Sequence, residues 1–169
     1  KTGTVPKLTD ANTTITKSPN DWTKQEVIAT ASTTEKNYTL QTKKDNGEWQ
    51  TTNTQKFTEN GTIYARLWDG TNAGEEIYKP ITNIDKTAPT ATNIEIKNVT
   101  PAGYDVYVYG VKDNGSGVNR VQFPTWTEAK GQDDIQPNWQ TGESSKGTKQ
   151  ADGTTWVYHV NITDHKTEA

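Results

Sequence analysis

Short stretches in which apolar and polar residues alternate constrain this chain more than any other feature. The clearest examples are residues 61–68 and residues 156–163. Their alternating apolar positions are Ile63, Ala65, Leu67, Trp156, Tyr158, Val160 and Ile162. A period of two places alternate side chains on opposite faces of a β-strand. Asn-Gly and Asp-Gly pairs punctuate the stretches and favour tight turns, so the pattern predicts an all-β protein with antiparallel strands. We expect the apolar positions of residues 156–163 to form a buried face, residues 104–111, which are apolar on both sides, to form a central strand, and Pro80 to lie on an edge strand.

The composition narrows the possible functions. Only 29% of the residues are hydrophobic, but 6 Trp and 7 Tyr indicate a folded chain with a small core. A net charge of −3 excludes a broad basic face, so we expect no nucleic-acid partner. The absence of Cys excludes disulfides and thiol catalysis, and two His are too few for a His-rich metal site. We therefore predict no metal, no cofactor and, without a long apolar run, no membrane span in this segment.

The polar stretch of residues 82–90 is the clearest candidate linker. Pro89 disfavours helix at the preceding residue, and the small polar side chains around it offer nothing to bury. We place one module at residues 11–87 and a second at residues 88–169, with residues 1–10 as a preceding linker. Since the chain contains no Met, we expect it to be a segment of a longer protein.

The first module contains three motifs, at residues 20–27 (NDWTKQEV), 57–62 (FTENGT) and 82–89 (TNIDKTAP). With these motifs it resembles the bacterial immunoglobulin-like repeats of Gram-positive surface proteins. Together with the strand pattern of both modules, the resemblance implies two tandem antiparallel immunoglobulin-like β-sandwich domains.

The second module contains four separated motifs in order, at residues 103–111 (GYDVYVYGV), 121–127 (VQFPTWT), 131–135 (GQDDI) and 164–165 (DH). With these motifs it resembles the GBS Bsp-like repeat of streptococcal surface proteins and of cell-wall hydrolases. The resemblance implies an exported, multi-modular protein of the cell surface or cell wall. In that family one more strand follows the Asp-His element, so we expect this module to be truncated at its C-terminus and to leave an unpaired sheet edge.

One group of residues suggests a binding site in the long polar stretch between residues 124 and 153. Sugar-binding proteins stack sugar rings on aromatic side chains and hold hydroxyls with carboxylates or amides. The residues of this kind are Trp126, Gln132, Asp133, Asp134 and Trp139. The alternative is that both Trp residues are core anchors and that the Asp pair caps a turn.

Catalytic and metal-binding motifs are weak. Asp133 and Asp134 are adjacent, whereas glycosidase carboxyls flank the bond from opposite sides. Asp164 and His165 are also neighbours, and neighbouring strand residues point to opposite faces, so we do not expect them to form a dyad. Residues 113–117 (DNGSG) lack the ligand spacing of a calcium loop and favour an ordinary turn. We predict no catalytic residues.

Two functions are consistent with these features. The first is a non-catalytic spacer, in which two rigid β-modules present another domain of the same protein. The second is a binding module that recognises cell-wall glycan or peptidoglycan through the Trp126–Trp139 region and holds a parent enzyme near its substrate. Exposure of the two Trp side chains beside Asp133 and Asp134 would favour binding, whereas their burial would favour the spacer.

Overall fold

The computed structural model describes residues 4–165 and divides the chain into two compact units, Lys1–Lys86 and Thr87–Ala169. The described residues form three antiparallel sheets and one short 3₁₀ helix, with no α-helix among them. The all-β prediction is confirmed. None of the helical structure in this part of the chain is long and apolar enough to cross a membrane.

The first unit consists of two three-stranded sheets. Its strands are β1 (Thr13–Ser18), β2 (Val27–Thr33), β3 (Thr39–Lys44), β4 (Thr54–Phe57), β5 (Gly61–Trp68) and β6 (Ile77–Ile81). One sheet has the order β1-β2-β4 and the other has the order β3-β5-β6. Val27 and Phe57 from the first sheet pack with Ile63 and Ile81 from the second. The core therefore lies between the sheets, as in a β-sandwich.

Strand β5 is the central strand of its sheet and follows the alternation predicted for it. Ile63, Ala65 and Leu67 are fully buried, whereas the residues between them are only partly buried. On the neighbouring strand, Pro80 pairs opposite Thr62 at the edge of the sheet. An edge position suits proline, because it cannot donate a backbone hydrogen bond to a further strand. Both predictions are confirmed.

The N-terminal segment is part of the first unit rather than a linker. Val5 and Leu8 are buried against Ala31, Ala65 and Leu67. The sequence had placed residues 1–10 outside the module, because two isolated apolar residues in a polar segment carry no strand or helix period. The core gains these two side chains only when the sheets are assembled.

The second unit contains one four-stranded sheet among its described residues. Its strands are β7 (Asn93–Thr100), β8 (Gly103–Tyr109), β9 (Thr148–Lys149) and β10 (Trp156–Asn161), in the order β7-β8-β10-β9. Strand β8 lies inside the sheet, as its apolar residues on both faces predicted. A second sheet facing this one is not seen in residues 87–165, although the sequence predicted a sandwich here as well.

The segment of residues 111–123, instead of a second sheet, covers part of this sheet. The two residues at its ends, Val111 and Phe123, pack against Val108 and Trp156. Ile94 pairs opposite Val108, and Ile96 pairs opposite Val106, so both isoleucines share this face. They are nevertheless 65% and 61% exposed, and neither belongs to the core cluster of this unit. The predicted truncation concerns residues 166–169, which lie outside the described part.

The last strand is shorter than the alternation predicted. Trp156 and Val160 are buried as expected. The strand ends at Asn161, and the chain enters the 3₁₀ helix Ile162–His165, in which the Ile162 amide donates to the carbonyl of Ala102 at 3.0 Å. Ile162 is therefore exposed, and the prediction that it continues the buried face is wrong.

Gly147 leaves no room for a side chain, because a Cβ there would lie 2.3 Å from Cε2 of Phe123. Phe123 is buried and stacks on Tyr158 with ring centroids 5.5 Å apart. We expect Gly147→Ala to destabilise the second unit by about 1–3 kcal/mol, as overpacking does. Chemical denaturation of the full chain measures the change. In the Phe123→Leu background the added methyl should cost much less, and equal costs in both backgrounds would contradict this contact.

Candidate functional site

The binding residues predicted from the sequence lie in a long loop that is fastened to the sheet of the second unit. Gln136 is buried, and its Oε1 accepts a hydrogen bond from the Thr125 amide at 3.0 Å. Its Nε2 donates to Thr125 Oγ1 at 2.7 Å and to the hydroxyl of Tyr158 at 3.1 Å. The Phe123 amide donates to the carbonyl of Ser145 at 2.7 Å. These bonds position the loop against β10.

Asp134 is directed into the unit and away from solvent. Its carboxylate accepts hydrogen bonds from the Thr127 amide at 3.2 Å and faces Nδ1 of His165 at 2.9 Å. The side chains of Asp134 and His165 are buried almost completely. This carboxylate is therefore engaged within the protein, and the geometry does not offer it to a sugar hydroxyl.

The other predicted binding residues differ in their exposure. Trp126 is 45% exposed, whereas Trp139 is half-buried. The carbonyl of Trp139 accepts hydrogen bonds from Gln122 Nε2 at 2.6 Å and from Ser145 Oγ at 2.8 Å. Gln132 and Asp133 lie on the surface. Within residues 4–165, no ring contact joins the two Trp side chains.

Comparison with known families adds a decisive observation. The family model of the GBS Bsp-like repeat matches residues 82–169, which is more than half of the chain. The chain belongs to the GBS Bsp-like repeat family. No significant match was found among curated proteins or among solved structures. The match confirms the resemblance inferred for the second module, whereas the immunoglobulin-like identity of the first module stays a prediction.

Within the GBS Bsp-like repeat, the Asp-His element is joined to the loop in a way that the sequence did not reveal. His165 contacts Asp134, which is 31 positions earlier in the chain, and not its neighbour Asp164. The pair connects the loop to the 3₁₀ helix that follows β10. Asp134 and His165 lie in two of the motifs on which the resemblance of the second module was based, and their co-occurrence is the one sequence signal that could have suggested the contact.

The pKa of Asp134 makes this connection sensitive to acid. Burial by itself raises the pKa of this carboxyl, but hydrogen bonds from the Thr127 amide and from His165 outweigh burial and hold the pKa below its ordinary value. A lowered folded-state pKa stabilises the fold above the unfolded-state pKa. That stability is lost as the pH falls through the folded-state value.

We therefore expect Asp134→Asn to lower the stability of the GBS Bsp-like repeat at neutral pH. The difference from the wild type should shrink as the pH falls below about 4, the ordinary range of an aspartate. Denaturant unfolding of both proteins across this pH range measures the effect. Glu128→Gln, which alters an exposed carboxylate of the same loop, is the matched control and should change little. A difference for Asp134→Asn that is constant with pH would contradict the assignment.

A second Asp-His pair lies on the opposite face of the same sheet. His159 on β10 is directly opposite Asp105 on β8, and its Nδ1 lies 2.6 Å from the carboxylate. Asn98 donates to the other oxygen of Asp105 at 2.7 Å. The hydrogen bond from Asn98 is the largest cause that lowers the pKa of Asp105, and the bond to His159 lowers this pKa further. The arrangement is a cross-strand pair that fastens β8 to β10.

Residues 113–117 form the turn predicted for them. Oδ1 of Asp113 accepts hydrogen bonds from the amides of Gly115 at 2.8 Å and of Gly117 at 3.3 Å. Asp is common in turns because its side chain accepts hydrogen bonds from nearby backbone amides in this way, and Gly is common there because it tolerates the backbone conformations of a turn. Among the described residues, no group of three or more His, Cys, Asp or Glu is arranged to hold a metal ion.

Proposed function

We propose that the chain is a non-catalytic spacer made of two compact β-domains, the first of them immunoglobulin-like, which presents another domain of an exported Gram-positive surface protein or cell-wall hydrolase. The observation that carries the proposal is the division into two compact β-units, of which the second belongs to the GBS Bsp-like repeat family. A unit that has its own hydrophobic core can fold by itself and act as a rigid spacer between the domains attached to its two ends.

The cores support this proposal, because each draws on one unit alone. Two adjoining clusters, built around Phe57 and Leu67, occupy the first unit. The cluster built around Trp156 occupies the second. Between the units, residues 86–90 are exposed. An exposed, polar connection between separately packed cores is the organisation expected of a spacer.

Limited proteolysis tests the spacer directly. We expect trypsin to cut the full chain first after Lys86, because a protease needs exposed and locally mobile backbone. Both products should then remain folded by circular dichroism and resist further digestion. The Lys86→Gln variant is the matched control and should delay this first cut. Early cleavage inside a strand, for example after Lys56 in β4, or rapid loss of either product, would contradict two independently stable domains.

A second candidate function is binding of cell-wall glycan by the GBS Bsp-like repeat, and the exposure of Trp126 favours it. An exposed indole ring can stack on the apolar face of a sugar. Co-sedimentation of the full chain with purified peptidoglycan tests this candidate. If it is correct, Trp126→Ala should abolish retention, whereas Trp22→Ala, which alters a Trp exposed to 51% in the first unit, should not. Equal retention of both variants would exclude Trp126 as the binding residue.

A further inference from the structure

The outward face of the β3-β5-β6 sheet in the first unit carries a group of aromatic side chains. Since Ile63, Ala65 and Leu67 of β5 point into the core, the residues that alternate with them point outward. These are Tyr64, Arg66 and Trp68. With Tyr78 from β6 and Trp49 from the segment after β3, they form a surface that we call the aromatic face. Its ring residues are Trp49, Tyr64, Trp68 and Tyr78.

Two cations lie between these rings. The guanidinium carbon of Arg66 is 4.2 Å from the ring centroid of Trp49 and 5.8 Å from that of Trp68. Nζ of Lys43 is 4.8 Å from the centroid of Trp49 and 4.9 Å from that of Tyr64. Cation–π contacts of this length hold the rings and the cations in a fixed arrangement. The surface is therefore organised before any ligand arrives, which reduces the entropy lost on binding.

Arg66 retains hydrogen-bonding capacity on this face. Its Nε donates to Gln41 Oε1 at 3.0 Å, which fixes the plane of the guanidinium group. No acceptor within residues 4–165 takes a hydrogen bond from its Nη atoms. A fixed guanidinium group with free donors is suited to bidentate recognition of a carboxylate.

The shape and charge of the aromatic face indicate the class of ligand. From Tyr64 to Trp68 it extends about 14 Å along β5, and three strands give a width of about 10 Å. A flat surface of this size suits an extended polymer better than a small molecule. Aromatic rings accept the apolar faces of sugar rings. The two cations, Arg66 and Lys43, complement acidic groups carried by the same polysaccharide.

A single-stranded nucleic acid would also combine stacking with negative charge, but the charge balance disfavours it. Glu76 lies 3.8 Å from Nζ of Lys43, and the chain as a whole carries a net charge of −3. A nucleic acid carries a phosphate on every nucleotide and binds along a continuous basic groove, which Arg66 and Lys43 alone do not form.

We propose that the aromatic face of the first unit binds an acidic polysaccharide, with sugar rings stacked on the aromatic side chains and a sugar carboxylate held by Arg66 and Lys43. This role goes beyond that of a spacer, because it makes the first unit an anchor to the polymer. It is also separate from Trp126, which lies in the other unit.

The test is a titration of the full chain with polygalacturonic acid and with its fully methyl-esterified form, followed by tryptophan fluorescence and calorimetry. The two polymers share a sugar backbone and differ in their carboxylate charge. We expect the acid form to bind at least tenfold more tightly and to lose affinity as salt is added. Tyr78→Ala should weaken binding at least tenfold, because Tyr78 is 67% exposed on the edge strand. Arg66→Gln should remove the preference for the acid form.

Matched controls separate this site from the rest of the chain. Trp22→Ala and Trp126→Ala each remove an exposed Trp outside the aromatic face and should bind as the wild type does. Circular dichroism verifies the fold of each variant, and Lys43→Gln replaces Arg66→Gln if the latter does not fold. Equal binding of both polymers, no binding of polygalacturonic acid, undiminished binding by Tyr78→Ala, or tighter binding of a single-stranded oligonucleotide would each overturn the proposal. These results leave the proteolysis test of the spacer unaffected.

Discussion

Trp156→Ala is expected to unfold most of the second unit while the first unit remains folded. Trp156 is only 4% exposed and packs with Val108, Val111 and Phe123. Truncation of a buried large aromatic side chain costs about 3–5 kcal/mol, and a domain has only about 5–15 kcal/mol of stability in total. Differential scanning calorimetry of the full chain measures the result, which should be the loss or strong downward shift of one unfolding transition.

Trp156→Phe is the matched variant for this position. The indole Nε1 of Trp156 is buried without a hydrogen-bond partner among the described residues. A buried unpaired donor costs about 1–3 kcal/mol. Phenylalanine removes this donor and keeps most of the ring, so we expect its cost to be less than half that of alanine. Equal costs for the two variants, or a cost below about 1 kcal/mol for alanine, would contradict the role of Trp156 as a core side chain.

Phe57→Ala should have the reciprocal effect and unfold the first unit only. Phe57 is fully buried and packs with Val27, Ala29, Ile63 and Ile81 between the two sheets. The expected cost is again about 3–5 kcal/mol, from lost burial and the cavity left behind. In the same calorimetric experiment the other transition should now disappear. The exposed Tyr78→Ala variant serves as the control and should leave both transitions in place.

Together, the two alanine variants test whether the units fold independently. If each substitution removes one transition and leaves the other unchanged, the units are separate cooperative domains. If either substitution shifts both transitions equally, the chain unfolds as one unit and the proposed spacer is wrong. This outcome does not depend on whether the aromatic face binds a polysaccharide.

The strands could be predicted wherever their stabilising interactions are local in sequence. The alternation of Ile63, Ala65 and Leu67 was enough to place β5 and its buried face. Pro80 was enough to place β6 at an edge. In both cases the determining property is local in sequence. For β5 it is the alternation of apolar and polar residues, and for β6 it is the missing amide hydrogen of proline. The two stretches needed no information from the rest of the fold.

Contacts between distant residues could not be predicted in this way. Val5 and Leu8 are single apolar residues in polar surroundings, and only the assembled sheets give them a core to enter. Asp134 was one of the candidate binding residues, with capping of a turn as the alternative, and the structure places it against His165. Neither a carboxylate nor an imidazole carries a local signal of its partner, because a hydrogen bond across 31 positions depends on the path of the loop.

The sequence by itself therefore determined the all-β class and the faces of its most regular strands, since side-chain alternation is a property of the local backbone. It also carried the family motifs of the second unit. Only the tertiary structure decided which apolar residues are covered. Ile94 and Ile96 follow the same alternation as buried strand residues, yet they remain exposed and lie outside the core cluster to which Val111 and Phe123 belong. Burial depends on what packs against a residue, and that is a property of the whole fold.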